Sequence, residues 1–307
     1  MGKIKNMIVS VLILVTLCQA QEQEINEDYL IFGRKEPVSP GSMFSALGDE
    51  PIFLNPANVA FITDNRILVG GSNSDLGYSY MISWTAPNIS ISSARHKLDL
   101  TDSDYSQYQK DLLKFSFAFS NADLGFRLGK TSIAAGVAVK QIADNLFSKE
   151  STEFGGDALS IDVGLNLTWS YFTLEWAMLN MNSPRMGETE LSYARAMLLG
   201  LRYKSTSGFI IALQGISSST YAGSDLGINL AAQQSFLDHR LTTRIQLTSF
   251  FSGTEAIMQN ISASVGYRPL VPTKYAALQD VELSYALSFL SMPQTVGTHM
   301  IVLTKYF

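Results

Sequence analysis

Apolar residues alternate with small or polar residues along most of the chain beyond residue 60, and this period of two is the feature that most limits the fold. In the clearest case, 159–169, Leu, Ile, Val and Trp fill the odd positions and Ser, Asp, Gly, Asn and Thr fill the even ones. Successive side chains of a β-strand point to opposite faces, whereas a helix repeats every 3.6 residues. The segment therefore predicts a strand with one fully apolar face.

The same pattern recurs about fourteen times in segments of about 8–12 residues, the length of a tilted strand that crosses a membrane. The predicted strands are 66–72, 77–85, 88–95, 113–120, 133–140, 159–169, 171–180, 192–203, 207–216, 224–234, 241–248, 258–267, 281–289 and 297–307. The second face carries mainly small and uncharged polar residues, as the lumen side of a membrane barrel does. We therefore predict an all-β fold, a transmembrane antiparallel β-barrel of about 14 strands, with roughly 12 to 16 as the range. The alternative is a soluble β-sandwich or lipid-binding barrel whose apolar face points inward.

Composition narrows the possible functions. Charged residues make up 16% of the 307 residues, against about 25% in an average soluble domain, and the net charge is −5. An acidic chain of this kind is not expected to bind nucleic acid. One cysteine and three scattered histidines exclude thiolate metal sites and disulfide frameworks, so we expect no cofactor. Ser284 and His299 lie on neighbouring predicted strands, but we expect no enzyme activity from that pair.

The N-terminus has the composition of a secretory signal peptide over residues 1–20. Lys3 and Lys5 precede an apolar run at 7–18, and a small-x-small cleavage sequence follows at 18–20. An uncleaved anchor and a lipoprotein acylated at Cys18 are the alternatives. Export and a membrane barrel together predict the bacterial outer membrane, whose lipid is then one partner of the protein.

The connections between predicted strands differ in length. Those after odd-numbered strands are mostly long and polar, and those after even-numbered strands are mostly tight; examples are 96–110, 143–156 and 182–190 against 85–88, 170–171 and 204–208. Outer-membrane barrels have short periplasmic turns and longer external loops, so the odd-numbered strands are predicted to run outward. The predicted barrel-closing strand ends in an aromatic residue, Phe307, and carries Leu303 on its apolar face.

Residues 43–62 break the alternation. The acidic pair Asp49 and Glu50 precedes a proline-marked turn, and Asn55, Pro56 and Ala57 then open a second short piece. Asn caps a helix well and Pro suits the first helical position, so a short helical piece is predicted here. A capped helix on the protein surface would show the same sequence.

This segment resembles the N-terminal hatch of the FadL superfamily of outer-membrane proteins, especially its PorV/PorQ-like branch, in the small residues at 45–48, the acidic pair and the Asn-Pro-Ala motif. The last two predicted strands are similar to that branch at 283–286 and 297–303, although Ser284 and Met300 stand where it usually has Asp and Arg.

The resemblance implies an N-terminal arm and luminal hatch over 21–62, followed by a barrel over 63–307. It also implies a component of type IX protein secretion that binds exported cargo or secretion partners, with the acidic, tyrosine-bearing connection 99–110 as a contact surface. The alternative is a FadL-like transporter of hydrophobic small molecules, and a barrel with a purely structural role is a third possibility.

Overall fold

The computed structural model describes residues 55–74, 77–99, 105–126, 128–148, 152–185, 195–220, 223–237, 240–252, 255–269, 279–291 and 295–307. The predicted signal peptide and the acidic pair Asp49 and Glu50 lie outside these residues. The described part contains one short 3₁₀ helix, η1 (Pro56–Phe61), and fourteen strands. The strands are β1 Arg66–Ser74, β2 Gly77–Ala86, β3 Ile89–Asp99, β4 Tyr105–Ser120, β5 Thr131–Ser148, β6 Thr152–Trp169, β7 Phe172–Leu179, β8 Ala196–Lys204, β9 Phe209–Thr220, β10 Gly223–Phe236, β11 Leu241–Ser252, β12 Glu255–Tyr267, β13 Val281–Ser291 and β14 Thr295–Tyr306.

Every strand pairs antiparallel with the next one along the chain, and β1 pairs with β14, so the sheet closes into a barrel. At the closing seam Arg66 lies opposite Tyr306, and Ser74 lies opposite Thr298. Closure leaves no unpaired sheet edge, which satisfies the strand backbone without water. The predicted barrel of about fourteen strands is confirmed.

The apolar face of each strand points away from the lumen. On β6, Leu159 and Leu165 are 61% and 48% exposed, whereas Asp162 and Asn166 are at most 1% exposed. The same separation runs around the barrel, and an outer surface built from Leu, Ile, Val and Phe requires lipid around it. The soluble alternative with an inward apolar face was therefore wrong. No helix among the described residues is long and apolar enough to cross a membrane.

We call the end of the barrel where β1 begins and β14 finishes the terminal end, and the other end the opposite end. The tight turns predicted after β2, β6 and β8 are present at the terminal end. Trp169, Phe172 and Tyr203 form an aromatic group there, with ring centroids 5.8 and 5.2 Å apart. Such outward aromatic rings mark the interface between lipid tails and headgroups.

Strands β4, β5 and β6 are much longer than predicted, with 16, 18 and 18 residues. The predicted connections 96–110 and 143–156 are therefore wrong over most of their length, because they are strand. At about 3.3 Å per residue and a tilt near 45°, these strands reach roughly 40 Å along the barrel axis, beyond an apolar band of about 25 Å. Their outer faces turn polar past that band, which gives them the composition of a loop.

The closing strand carries both residues that the sequence singled out. Leu303 on β14 points outward and is 46% exposed, and the backbone N–H of Phe307 donates to the carbonyl of Asn65 at 2.8 Å. Lys305 interrupts the apolar face, but its ammonium group donates to the carbonyl of Gln279 and lies 5.5 Å from the ring of Phe307. The lysine thus extends its charge toward the terminal end, where it leaves the lipid.

Candidate functional site: the lumen and its plug

The lumen holds the helix η1, which packs against β3 to β6. We call residues 55–61 the plug. Asn55 has an extended backbone, and its side-chain oxygen accepts the N–H of Ala57 at 3.0 Å, while Pro56 stands at the first helical position. Asn caps this end because it satisfies a helix N–H that has no partner within the helix. Residues 62–65 then connect the plug to β1.

Three asparagine side chains fix the plug to the barrel wall. The Nδ2 of Asn55 donates to the Oδ1 of Asn166 on β6 at 2.7 Å, and the Nδ2 of Asn166 donates to the Oδ1 of Asn58 at 2.7 Å. All three side chains are buried, at 1 to 3% exposure. Amide groups removed from water are costly unless they are paired, so this amide ladder holds the plug in one position.

Two glycines make room for the plug. Gly136 on β5 and Gly164 on β6 are paired across the sheet, and both lie on the lumen face. A Cβ atom at Gly164 would stand 2.0 Å from the Oδ1 of Asn55, and one at Gly136 would stand 2.5 Å from the carbonyl carbon of Pro56. Only residues without a side chain permit this close approach of two backbones.

Charged side chains lie buried beside the plug, on the lumen face of β4 to β6. The ammonium groups of Lys114 and Lys140 are each 3.1 Å from a carboxylate oxygen of Asp162, and all three side chains are at most 1% exposed. The backbone N–H of Asn180 also donates to Asp162, at 2.9 Å. Two cations share one carboxylate, and the group is tied to the fold because buried charges need partners.

A second polar network continues around the lumen from β7 to β11. Arg202 lies 3.2 Å from the carboxylate of Glu175, which is 1% exposed, and Gln214 donates to the same carboxylate at 3.2 Å. The network continues from Gln214 through Asn229 to Thr248, with one bond of 3.3 Å and one of 3.2 Å. These side chains are held in place by one another, so this part of the lumen wall is a rigid polar surface.

The lumen face of β13, β14, β1 and β2 carries a group of apolar side chains among buried serines and threonines. These apolar side chains form one contiguous cluster, which we call the apolar stripe: Leu68, Met81, Ala286, Met300 and Val302. The half-buried Ala94 of β3 packs against it. The interior of the barrel therefore has its buried ion pairs at β4 to β8 and its five-residue apolar cluster at the closing seam.

The structure places the remaining candidates apart from any catalytic arrangement. Ser284 faces the lumen and is 4% exposed, whereas His299 faces outward and accepts or donates a hydrogen bond with the hydroxyl of Tyr285 at 2.6 Å. The two cannot act on one lipid-facing substrate, because they lie on opposite faces of the sheet. Within the described residues, no group of three or more His, Cys, Asp or Glu could hold a metal ion.

Of the predicted hatch residues, Asn55, Pro56 and Ala57 lie in the lumen. The sequence analysis did not identify the wall residues around the plug. The buried group of Lys114, Lys140 and Asp162 could have been predicted, because charges at the inward positions of alternating strands must find counter-charges inside a barrel. The pairing of Gly136 with Gly164 carried none, because it depends on the register of two strands.

No protein-family model matches the chain, and no curated protein sequence matches it. Solved structures do. The monoaromatic hydrocarbon channel CymD superposes with a TM-score of 0.53 at 11% identity, over 84% of this chain and 92% of that one. A Pseudomonas aeruginosa FadL homologue gives 0.52 at 9% identity, over 83% and 92%. The deltaS2S3 mutant of the monoaromatic hydrocarbon channel TodX gives 0.53 at 11%, over 84% and 94%.

The barrel has the FadL-type fold. Together with the closed sheet and the lipid-facing outer surface, this fold makes the protein an outer-membrane barrel of a bacterium. At these identities the likeness is one of architecture.

Proposed function

We propose that this protein is a FadL-like channel that carries small hydrophobic molecules across the outer membrane. The observation that carries the proposal is the apolar stripe inside the lumen. A water-filled porin has a polar interior all round, because its substrates are hydrated. A surface of Leu, Met and Val inside the barrel instead favours molecules that leave water readily.

The plug supports the same proposal. A barrel of fourteen strands encloses more space than its own side chains fill, and an open lumen would leak hydrated solutes. The plug obstructs part of that space from the polar side, where the amide ladder and the two glycines hold it. In this proposal a small molecule passes on the other side of the lumen, beside the apolar stripe. The monoaromatic hydrocarbon channels CymD and TodX have the same fold, which is in keeping with this proposal.

We rank a role in type IX protein secretion below the channel. That role rested on motif resemblance and on the predicted contact loop 99–110. The structure places Tyr108 and Lys110 in β4, with both side chains buried on the lumen face, so most of that loop does not exist as a contact surface. Protein partners stay a prediction, which co-purification from the native envelope would test.

The channel is tested by uptake. The full chain is produced in a Gram-negative host, and the entry of radiolabelled toluene is compared with that of a hydrated solute of similar size. We expect faster toluene entry than in cells with the empty vector. Met300→Gln, which makes the apolar stripe polar at nearly constant volume, should remove most of the gain, whereas Met181→Gln, in the exposed turn after β7, should keep it. Equal toluene entry with and without the protein would reject the channel.

A further inference from the structure

A cavity of about 600 Å³ opens at the terminal end of the barrel, below the plug. Its inner limit is formed by Asn58 and Phe61 of the plug, and its walls by the terminal ends of β6 to β9 with Arg66 and Tyr306 from the closing seam. This volume is within the range of small-molecule sites in proteins. We call the cavity the terminal vestibule.

The lining of the terminal vestibule is richer in cations than in carboxylates, in a chain whose net charge is −5. Among the described residues, Arg66, Arg202 and Lys204 line it with Asp64, and Glu175 pairs with Arg202 from behind, so the cations exceed the carboxylates by one. Like charges gathered at the mouth of a low-dielectric cavity attract anions and raise their local concentration. The ligand suited to this cavity therefore carries negative charge.

One of these cations is held in place from behind. The guanidinium of Arg202 is bound by the buried carboxylate of Glu175, which the amide of Gln214 fixes in turn. Arg202 is 15% exposed, so its contact with the cavity is made by a group whose orientation is already set. A pre-positioned guanidinium binds a carboxylate with little loss of conformational entropy.

Aromatic and aliphatic residues complete the lining of the terminal vestibule. Phe61 and Ile210 contribute to it, together with Tyr171 and Tyr306, whose rings also contact Tyr203 and Arg268. Phe61 is positioned by the plug, which the amide ladder ties to β6. Aromatic rings favour other flat rings, which they contact by stacking or edge-to-face packing.

We propose that the terminal vestibule is a binding site for small aromatic carboxylates, with the ring against Phe61 and Ile210 and the carboxylate toward Arg202 and Lys204. The site extends the proposed channel and rests on it only for the route by which the ligand arrives. A hydrocarbon passing along the apolar stripe needs no such charge, so the vestibule adds a second class of ligand to the same lumen.

The test uses the full-length barrel in a non-ionic detergent and the fluorescent probe 2-naphthoate, with 2-naphthalenemethanol as its uncharged analogue. Binding is measured by fluorescence titration. Lys204→Gln should weaken 2-naphthoate binding by about 3- to 10-fold, as expected for one exposed charge-assisted contact, and leave the analogue unchanged. Lys204 is exposed at the rim, so this variant keeps the fold.

Lys130→Gln is the matched control, because Lys130 is an exposed lysine at the same end of the barrel that does not line the cavity. It should leave both affinities unchanged. Equal affinity of wild type and Lys204→Gln for 2-naphthoate, equal loss in both lysine variants, or equal affinity for acid and alcohol would each overturn the site. Toluene uptake measured in parallel separates the two proposals, because a normal uptake with no acid binding removes only the vestibule.

Discussion

Two sectors of the barrel wall have outer faces of the same apolar composition and inner faces of different composition. In the sector β4 to β6 the strands are long, and the lumen face holds the plug and the buried charges of Lys114, Lys140 and Asp162. In the sector from β13 through β14 and β1 to β2 the strands have 9 to 12 residues, and the lumen face carries the apolar stripe among serines and threonines. Lipid requires the same outer face everywhere, whereas each inner face is set by what it contacts. The outer face therefore indicates where the protein lies, and the inner face indicates what it does.

The largest effect is expected in the charged sector. Asp162→Asn leaves two buried ammonium groups without the carboxylate that they share, which should cost about 3–5 kcal/mol of unfolding free energy. The measurement is the temperature at which the heat-modifiable band shifts on a gel. Asp157→Asn is the control, because Asp157 is an exposed outer-face residue of the same strand. Adding Lys140→Met to Asp162→Asn should recover part of the loss, and equal shifts for both aspartate variants would contradict the role of the buried cluster.

The apolar sector should respond to loss of volume. Leu68→Ala removes the side chain of a residue that is 3% exposed within the apolar stripe, and we expect a loss of about 2–3 kcal/mol. Leu303→Ala, on the paired seam strand β14 but facing lipid, should cost clearly less, because lipid tails fill the space that the side chain leaves. Denaturant titration of the folded barrel in detergent compares the two. A larger loss at Leu303 would reverse the assignment of inner and outer faces.

A smaller effect is expected where the plug meets the wall. Gly164→Ala places a methyl group against Asn55 and should weaken the seat of the plug by about 1–3 kcal/mol, which corresponds to roughly 5- to 150-fold more of the unseated form. The readout is maleimide labelling of Ala60→Cys in the half-buried part of the plug. Gly215→Ala is the control, because its nearest neighbour would be 4.0 Å away. Unchanged labelling in Gly164→Ala would show that the plug does not depend on this contact.

The smallest effect concerns Asp123 in the turn between β4 and β5. Its carboxylate accepts hydrogen bonds from the backbone N–H and the hydroxyl of Ser120, at 2.6 and 2.8 Å, and these bonds lower the pKa of Asp123 below its ordinary value of 3.8. A lowered pKa in the folded state means that the stabilisation is present above pH 3.8 and is lost as the pH falls below it. Because the group is exposed, we expect less than about 1 kcal/mol. The measurement is the midpoint of denaturant unfolding as a function of pH. Asp123→Asn should remove the part of its decrease that this group causes at acid pH, and a pH profile of the midpoint equal to that of the wild type would contradict the prediction.

The sequence predicted the fold better than the site, and the reason lies in what each depends on. Alternation of single residues, as in 159–169, is sufficient to identify a strand and its lipid-facing side. The seat of the plug depends on Gly136 lying opposite Gly164 and on Asn166 lying within reach of Asn55, 111 positions away along the chain. A local sequence pattern cannot show a contact between residues that lie so far apart along the chain. The long strands were missed because their outer faces are polar past the apolar band and their inner faces carry residues such as Asp144, whose partner Tyr108 also lies inside the barrel.

The connection between the plug and β1 limits how far the plug can travel. Residues 62–65 join η1 to the first strand, and four fully extended residues span at most about 14 Å. A plug that leaves its position against the two glycines therefore stays near the closing seam at the terminal end. If the plug moves in this way, the length of the connection limits how far the proposed channel can open, and so limits the size of molecule that it can pass.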